Sequence, residues 1–194
     1  MQQRCLNYGV SRYTSLSLLL VLILLPSYSF AEKEFRVHNV EGAWHDDVYH
    51  VDVTITSQLS NKAIEALHKG VALTIVLDVH VTKSRRYWLD QHVASLEQRY
   101  VLRYHALSDQ YLTENINSGV KESFTSLQVA LAVIGDIDSL PILDRRNVGP
   151  KERYYARARV RVDLDSLPVP LRVFAYFMPE WRLSSDWYIW TLTM

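Results

Sequence analysis

Leu73-Thr74-Ile75-Val76-Leu77-Asp78-Val79-His80-Val81-Thr82 is the run whose reading decides the fold. Leu73, Ile75, Leu77, Val79 and Val81 fall on one side of an extended chain, and Thr74, Val76, Asp78, His80 and Thr82 on the other. Successive side chains of a strand point to opposite faces, so this pattern predicts a β-strand with one face in a core. Tyr49, Val51, Val53 and Ile55 alternate in the same way with His50, Asp52, Thr54 and Thr56. Tyr100, Leu102, Tyr104 and Ala106 alternate with Arg99, Val101, Arg103 and His105, and the runs 154–164 and 171–178 complete the set. One-sided runs favour antiparallel pairing over a parallel sheet covered on both faces.

Two segments break the period. Residues 61–69 place Ile64 and Leu67 on one helical face, with Ser60 or Asn61 as N-cap and Gly70 just past the end, where a left-handed residue is cheap. Residues 121–134 carry Phe124, Leu127, Leu131 and Ile134 at helical spacing, with Gly135 as the stop. Asp90-Gln91-His92 and Ser108-Asp109 suit reversals of a meander from about Leu73 to Asn117. The expected fold is mainly β: an antiparallel two-layer, immunoglobulin-like sandwich with two short amphipathic helices, α+β being the alternative.

The N-terminus sets the expected location. Arg4 and Arg12 precede the apolar run 16–25, Pro26 follows, and Ser29 and Ala31 are small residues before the first acid, Glu32. This is the layout of a secretory signal cut after Ala31. An apolar core of about ten residues falls short of the roughly twenty that span a bilayer, the alternative being an uncleaved anchor. Residues 1–31 are therefore expected to be a signal peptide, and residues 32–194 a single mainly-β domain in the periplasm, not membrane-spanning after cleavage. The only cysteine, Cys5, lies inside the signal, so the processed chain would hold no disulfide and no thiolate chemistry.

Composition narrows the function. Without Arg4 and Arg12 the chain has 19 basic residues against 21 acidic ones, which gives no support for nucleic-acid binding. No nucleophile elbow or Ser-x-x-Lys is present, and Ser184-Ser185-Asp186 has no histidine near it in sequence, so no catalytic residue is assigned. The His45-Asp46-Asp47/His50 and Asp78/His80 groups lack the spacing of a metal motif. Only pairing of the strand of His50 and Asp52 with that of Asp78 and His80 would assemble one. No metal or other cofactor is expected.

The remaining candidate is a surface. If 154–164 and 171–178 pair across the Asp165–Pro170 loop, Asp163 faces Arg172, Arg161 faces Phe174, and Arg159 faces Tyr176. One face then carries Tyr155, Arg157, Arg159 and Arg161 beside Phe174 and Tyr176. Guanidinium groups over rings are mildly attractive, but three arginines in a row repel unless carboxylates or a bound anion compensate. These six residues are the candidate binding surface for an acidic partner or an anionic ligand. The plain alternative is a solvated sheet face with ordinary cross-strand pairs.

The order of motifs resembles the proteobacterial exported family called domain of unknown function 4390. The matching stretches are Glu65-Ala66-Leu67-His68-Lys69-Gly70-Val71-Ala72-Leu73, Arg85-Arg86-Tyr87-Trp88, Leu102-Arg103-Tyr104-His105-Ala106-Leu107, Leu167-Pro168-Val169-Pro170-Leu171-Arg172 and Trp181-Arg182-Leu183-Ser184-Ser185. The resemblance brings no activity and no catalytic residues. It implies a gene neighbourhood with a membrane sensor histidine kinase of the nitrogen-regulation type, and hence a periplasmic accessory to signalling. With no chemistry to explain, the expected role is a non-catalytic interaction module acting on that kinase or on another envelope protein. A small-ligand binding protein, anionic or apolar, with a pocket lined by Phe124, Leu127 and Leu131, is the competing expectation.

Overall fold

The computed structural model describes residues 35–85, 89–149 and 152–192. The expected signal peptide and Arg86-Tyr87-Trp88 lie outside the described residues. The run that opens with Leu73 is the middle of the molecule. It forms β3 (Leu73–Ser84), paired antiparallel on one side with β4 (Gln91–His105) and on the other with β8 (Arg153–Val162). Two strands extend the sheet beyond β4, β5 (Gln110–Asn115) and β6 (Lys121–Phe124), and β9 (Tyr188–Thr191) closes it beyond β8. The six-stranded order is β6-β5-β4-β3-β8-β9. A three-stranded sheet, β1-β2-β7, is built from β1 (Phe35–His45), β2 (Val48–Ser57) and β7 (Asp136–Asp144). Both sheets are antiparallel, and with short helices they make the mainly-β sandwich that the alternation predicts.

The core is filled by the inward halves of the alternating runs. Ile75, Leu77, Val79 and Val81 of β3 join Val51, Val53 and Ile55 of β2 and Ala156, Ala158 and Val160 of β8, all buried. Trp181 and Leu183 are buried in the same cluster, whereas Trp187 and Trp190 remain half-exposed. The β1–β2 reversal has Asp46 and Asp47 at φ 46° and 69°, the left-handed pair that a two-residue hairpin turn demands.

Of the three α-helices among the described residues, two carry the chain from one sheet to the other and the third lies between β8 and β9 of the same sheet. Helix α1 (Asn61–His68) begins where the Ser60 hydroxyl accepts from the Ala63 N–H at 3.3 Å, and the chain leaves it through Gly70 at φ 86°. The second helix is shorter than the period suggests. Residues 121–124 are β6, and α2 (Leu127–Gly135) holds only the apolar remainder. Glu122 and Ser123 alternate as well as they spiral, and pairing with β5 decides between the two. Helix α3 (Val169–Phe177) stands where a strand is expected. Pro170 lies in its first turn, where a proline needs no N–H partner and its fixed φ suits a helix. No helix among the described residues is long and apolar enough to cross a membrane.

Gly135 marks where α2 crosses β2. A Cβ there would overlap the Ile55 carbonyl oxygen, a backbone atom that cannot swing aside. Gly135→Ala is expected to lower stability by about 1–3 kcal/mol, the usual penalty for overpacking, read as a lower urea midpoint with unchanged slope.

Candidate functional site

The outer face of the six-stranded sheet brings charge together in register. Asp78 of β3 lies between Glu97 of β4 and Arg159 of β8, and Val76 lies between Arg99 and Arg161. The Asp78 carboxylate is only 5% exposed and is held by Arg159 at 3.1 Å and Arg161 at 2.8 Å. Arg161 also reaches Asp163 at 3.5 Å. Arg99 links Asp163 at 3.1 Å to Glu97 at 2.6 Å. The hydrogen bond from Arg161 to Asp78 holds that guanidinium's pKa above its ordinary value. Arg159 and Arg161 are thus neutralised by nearby carboxylates, which is the ordinary structural use of such charges.

Trp187 caps the row. The chain returns along the edge of β8, where the Ser185 N–H donates to the Val160 carbonyl and the Val162 N–H to that of Leu183. Trp187 is thereby set beneath two guanidiniums, with Arg157 and Arg159 at 4.6 and 4.5 Å from its ring. His80 meets the same indole edge-on at 5.3 Å. Partial burial lowers the His80 pKa, and Arg157 lowers it further against the opposing pull of Asp78.

Four of the six candidate residues do share this face. Arg157, Arg159 and Arg161 lie in one row, and the Tyr155 hydroxyl donates to Asp90 at 2.8 Å. The expected hairpin partner is corrected. Residues 171–178 are not a strand opposite β8, because both edges of β8 are occupied by β3 and by the chain from Leu183 to Thr191. Phe174 and Tyr176 sit on α3 instead, with the Tyr176 hydroxyl donating to Asp165 at 2.6 Å, and Arg172 bonds the Leu167 carbonyl rather than Asp163. Sequence reasoning missed Glu97, Arg99 and Trp187. A lone Asp78 inside an otherwise apolar run was the one signal that a cation had to come from a neighbouring strand.

Helix α3 has a second distinction. Only Ala175 of its residues is buried. Val169, Val173 and Phe177 recur every four residues on the outward side, at 67%, 54% and 81% exposure, with Phe174 and Met178 exposed beside them. The helix adjoins the 179–181 turn, which packs against α1, and α1 follows Ser57, the register partner of Phe35.

The other candidates do not assemble. His50 and Asp52 lie in the three-stranded sheet and Asp78 and His80 in the six-stranded one, so the pairing a metal site needed does not form. Among the described residues no three His, Cys, Asp or Glu side chains converge on a point. Ser185 Oγ donates to the Asp186 carbonyl and accepts from Val160, an edge-strand role. Between α1 and α2 lies an open groove of about 430 Å³ with Leu127 and Leu131 in its walls, while Phe124 packs on the core from β6.

The fold and its outer face thus define an antiparallel β sandwich with an internally neutralised charge ladder and an apolar surface helix. The chain belongs to the family described as a domain of unknown function, DUF4390, whose model matches residues 32–191. No curated protein and no solved structure matches it.

Asp78→Ala strips both arginines of their shared partner and is expected to lower stability by about 3 kcal/mol in equilibrium urea unfolding. The His80 shift predicts the sign of a pH effect. The fold binds a proton at His80 less readily than the unfolded chain does, so this stability is full above the ordinary histidine range and declines as pH falls through it. The urea midpoint is expected to drop between pH 7 and pH 5, and His80→Gln is expected to shrink that drop.

Proposed function

We propose that this domain is a non-catalytic interaction module, exported to the periplasm, which works by docking its α3 end onto a membrane-bound protein. The exposed face of Val169, Val173, Phe174, Phe177 and Met178 is the observation that supports the reading. Contiguous apolar surface of this kind, rimmed by polar residues, is typical of interaction sites. Aromatic side chains add contact area at low entropic cost, as hot spots do. The candidate surface is thereby moved. Phe174 and Tyr176 belong to it through α3, while Arg159 and Arg161 are engaged by Asp78 and act as scaffold. Arg157, held over Trp187, is the member of the row left to meet an acidic group of a partner.

The resemblance set out above supplies the first partner to test, a membrane sensor histidine kinase. With a photo-crosslinking residue at position 173 in intact cells, the kinase is expected as a discrete adduct. Val173→Asp with Phe177→Asp, crosslinked from position 174, is expected to reduce that adduct at least tenfold. The thermal midpoint should stay within about 2 °C, because exposed positions carry little stability. The reading fails if crosslinking from α3 is no stronger than from Arg103 on the opposite wing of the sheet.

A further inference from the structure

We infer that the groove between α1 and α2 is a binding site for a small uncharged amphiphile, a molecule with an apolar body and one hydrogen-bonding group. Its volume of about 430 Å³ falls within the range of small-molecule sites, roughly 300–1,000 Å³. Ile55, Ile64, Leu127 and Leu131 supply the apolar walls, and Asn61 and Gln128 supply amides. Every lining residue is uncharged, which sets this groove apart from the hollows near His45 and Arg103, whose linings are ionisable. An ionic head would enter without a counter-charge, so the chemistry selects a neutral one.

A second observation points to the ligand. Ser57 lines the groove, and its Oγ is buried with no hydrogen-bond partner among the described residues. Buried hydroxyls are ordinarily paired, so an orphan beside an apolar groove asks for an explanation. A neutral ligand that donates or accepts one hydrogen bond would supply the partner that this hydroxyl lacks. The site uses none of the outward residues of α3. It can therefore stand or fall separately from the docking surface.

The test is fluorescence titration of the full chain, as it accumulates in cells, with N-phenyl-1-naphthylamine, an uncharged apolar dye carrying one N–H. Saturable binding at one dye per chain is expected, displaced by 1-octanol far better than by octanoate. Ala132 and Gln128 line the groove from exposed positions, so Ala132→Trp or Gln128→Trp should block it without unfolding the protein and weaken binding at least tenfold. Ser57→Ala should weaken displacement by 1-octanol roughly 3- to 10-fold, the scale of one neutral hydrogen bond. Val173→Ser with Phe177→Ser should leave dye binding unchanged. The inference is overturned by any of three results. These are the absence of saturable binding, a Trp-blocked but folded variant that binds as the parent does, and loss of binding in the α3 variant. Octanoate competing as well as 1-octanol would overturn the uncharged class.

Discussion

A carboxylate in the middle of the central strand constrains everything around it. Asp78 sits in β3, which is buried on its inward face by the sandwich core and largely covered on its outward face as well. A charge in that position is tolerated only when paired and hydrogen-bonded. Arg159 and Arg161 come from β8 in the register that puts them beside it, and both must stay there. That requirement fixes β8 against β3. The other edge of β8 is taken by the returning chain 183–191, and 169–177 lie outside the sheet as a helix with its apolar side outward.

Much of this was legible in the residues. Strand alternation identified β2, β3, β4 and β8, and Ser60 and Gly70 framed α1 nearly to the residue. The meander from β3 to β5 followed from turn residues, with Asp109 in the left-handed region as a reversal requires. What failed did so for a physical reason. Val169-Pro170-Leu171-Arg172-Val173-Phe174-Ala175-Tyr176-Phe177 satisfies a period of two, yet Leu171 and Ala175 also lie one helical turn apart. Local pattern could not choose between them, because the choice rests on whether β8 has an edge free. The same holds at 121–124, where β5 offers an edge and the chain takes it.

The candidate site was half legible for a related reason. Arg157, Arg159 and Arg161 do share a face, since alternation along one strand needs no knowledge of its neighbours. Their partners come from β3, β4 and the Trp187 segment, at sequence separations that no motif spans. Two of the three arginines in that row, Arg159 and Arg161, are paired with Asp78, and Arg157 lies over Trp187. The surface without partners among the described residues is apolar, and it lies on an element, α3, that the alternation read as a strand. The groove, too, depends on α1 and α2 meeting over the end of β2, a juxtaposition of segments some sixty residues apart.

Asp78 and its arginines lie in well-buried central strands, whereas α3 is anchored by a single buried side chain, Ala175, and leaves its apolar face exposed. Native-state amide hydrogen exchange on the isolated protein measures both halves at once. Amides of Ile75–Val81 and Ala156–Val162 are expected to exchange only through global unfolding. Those of Val173–Phe177 should exchange orders of magnitude faster, through local opening. Protection of α3 equal to that of β3 would mean that its apolar face is already covered, and would contradict the account.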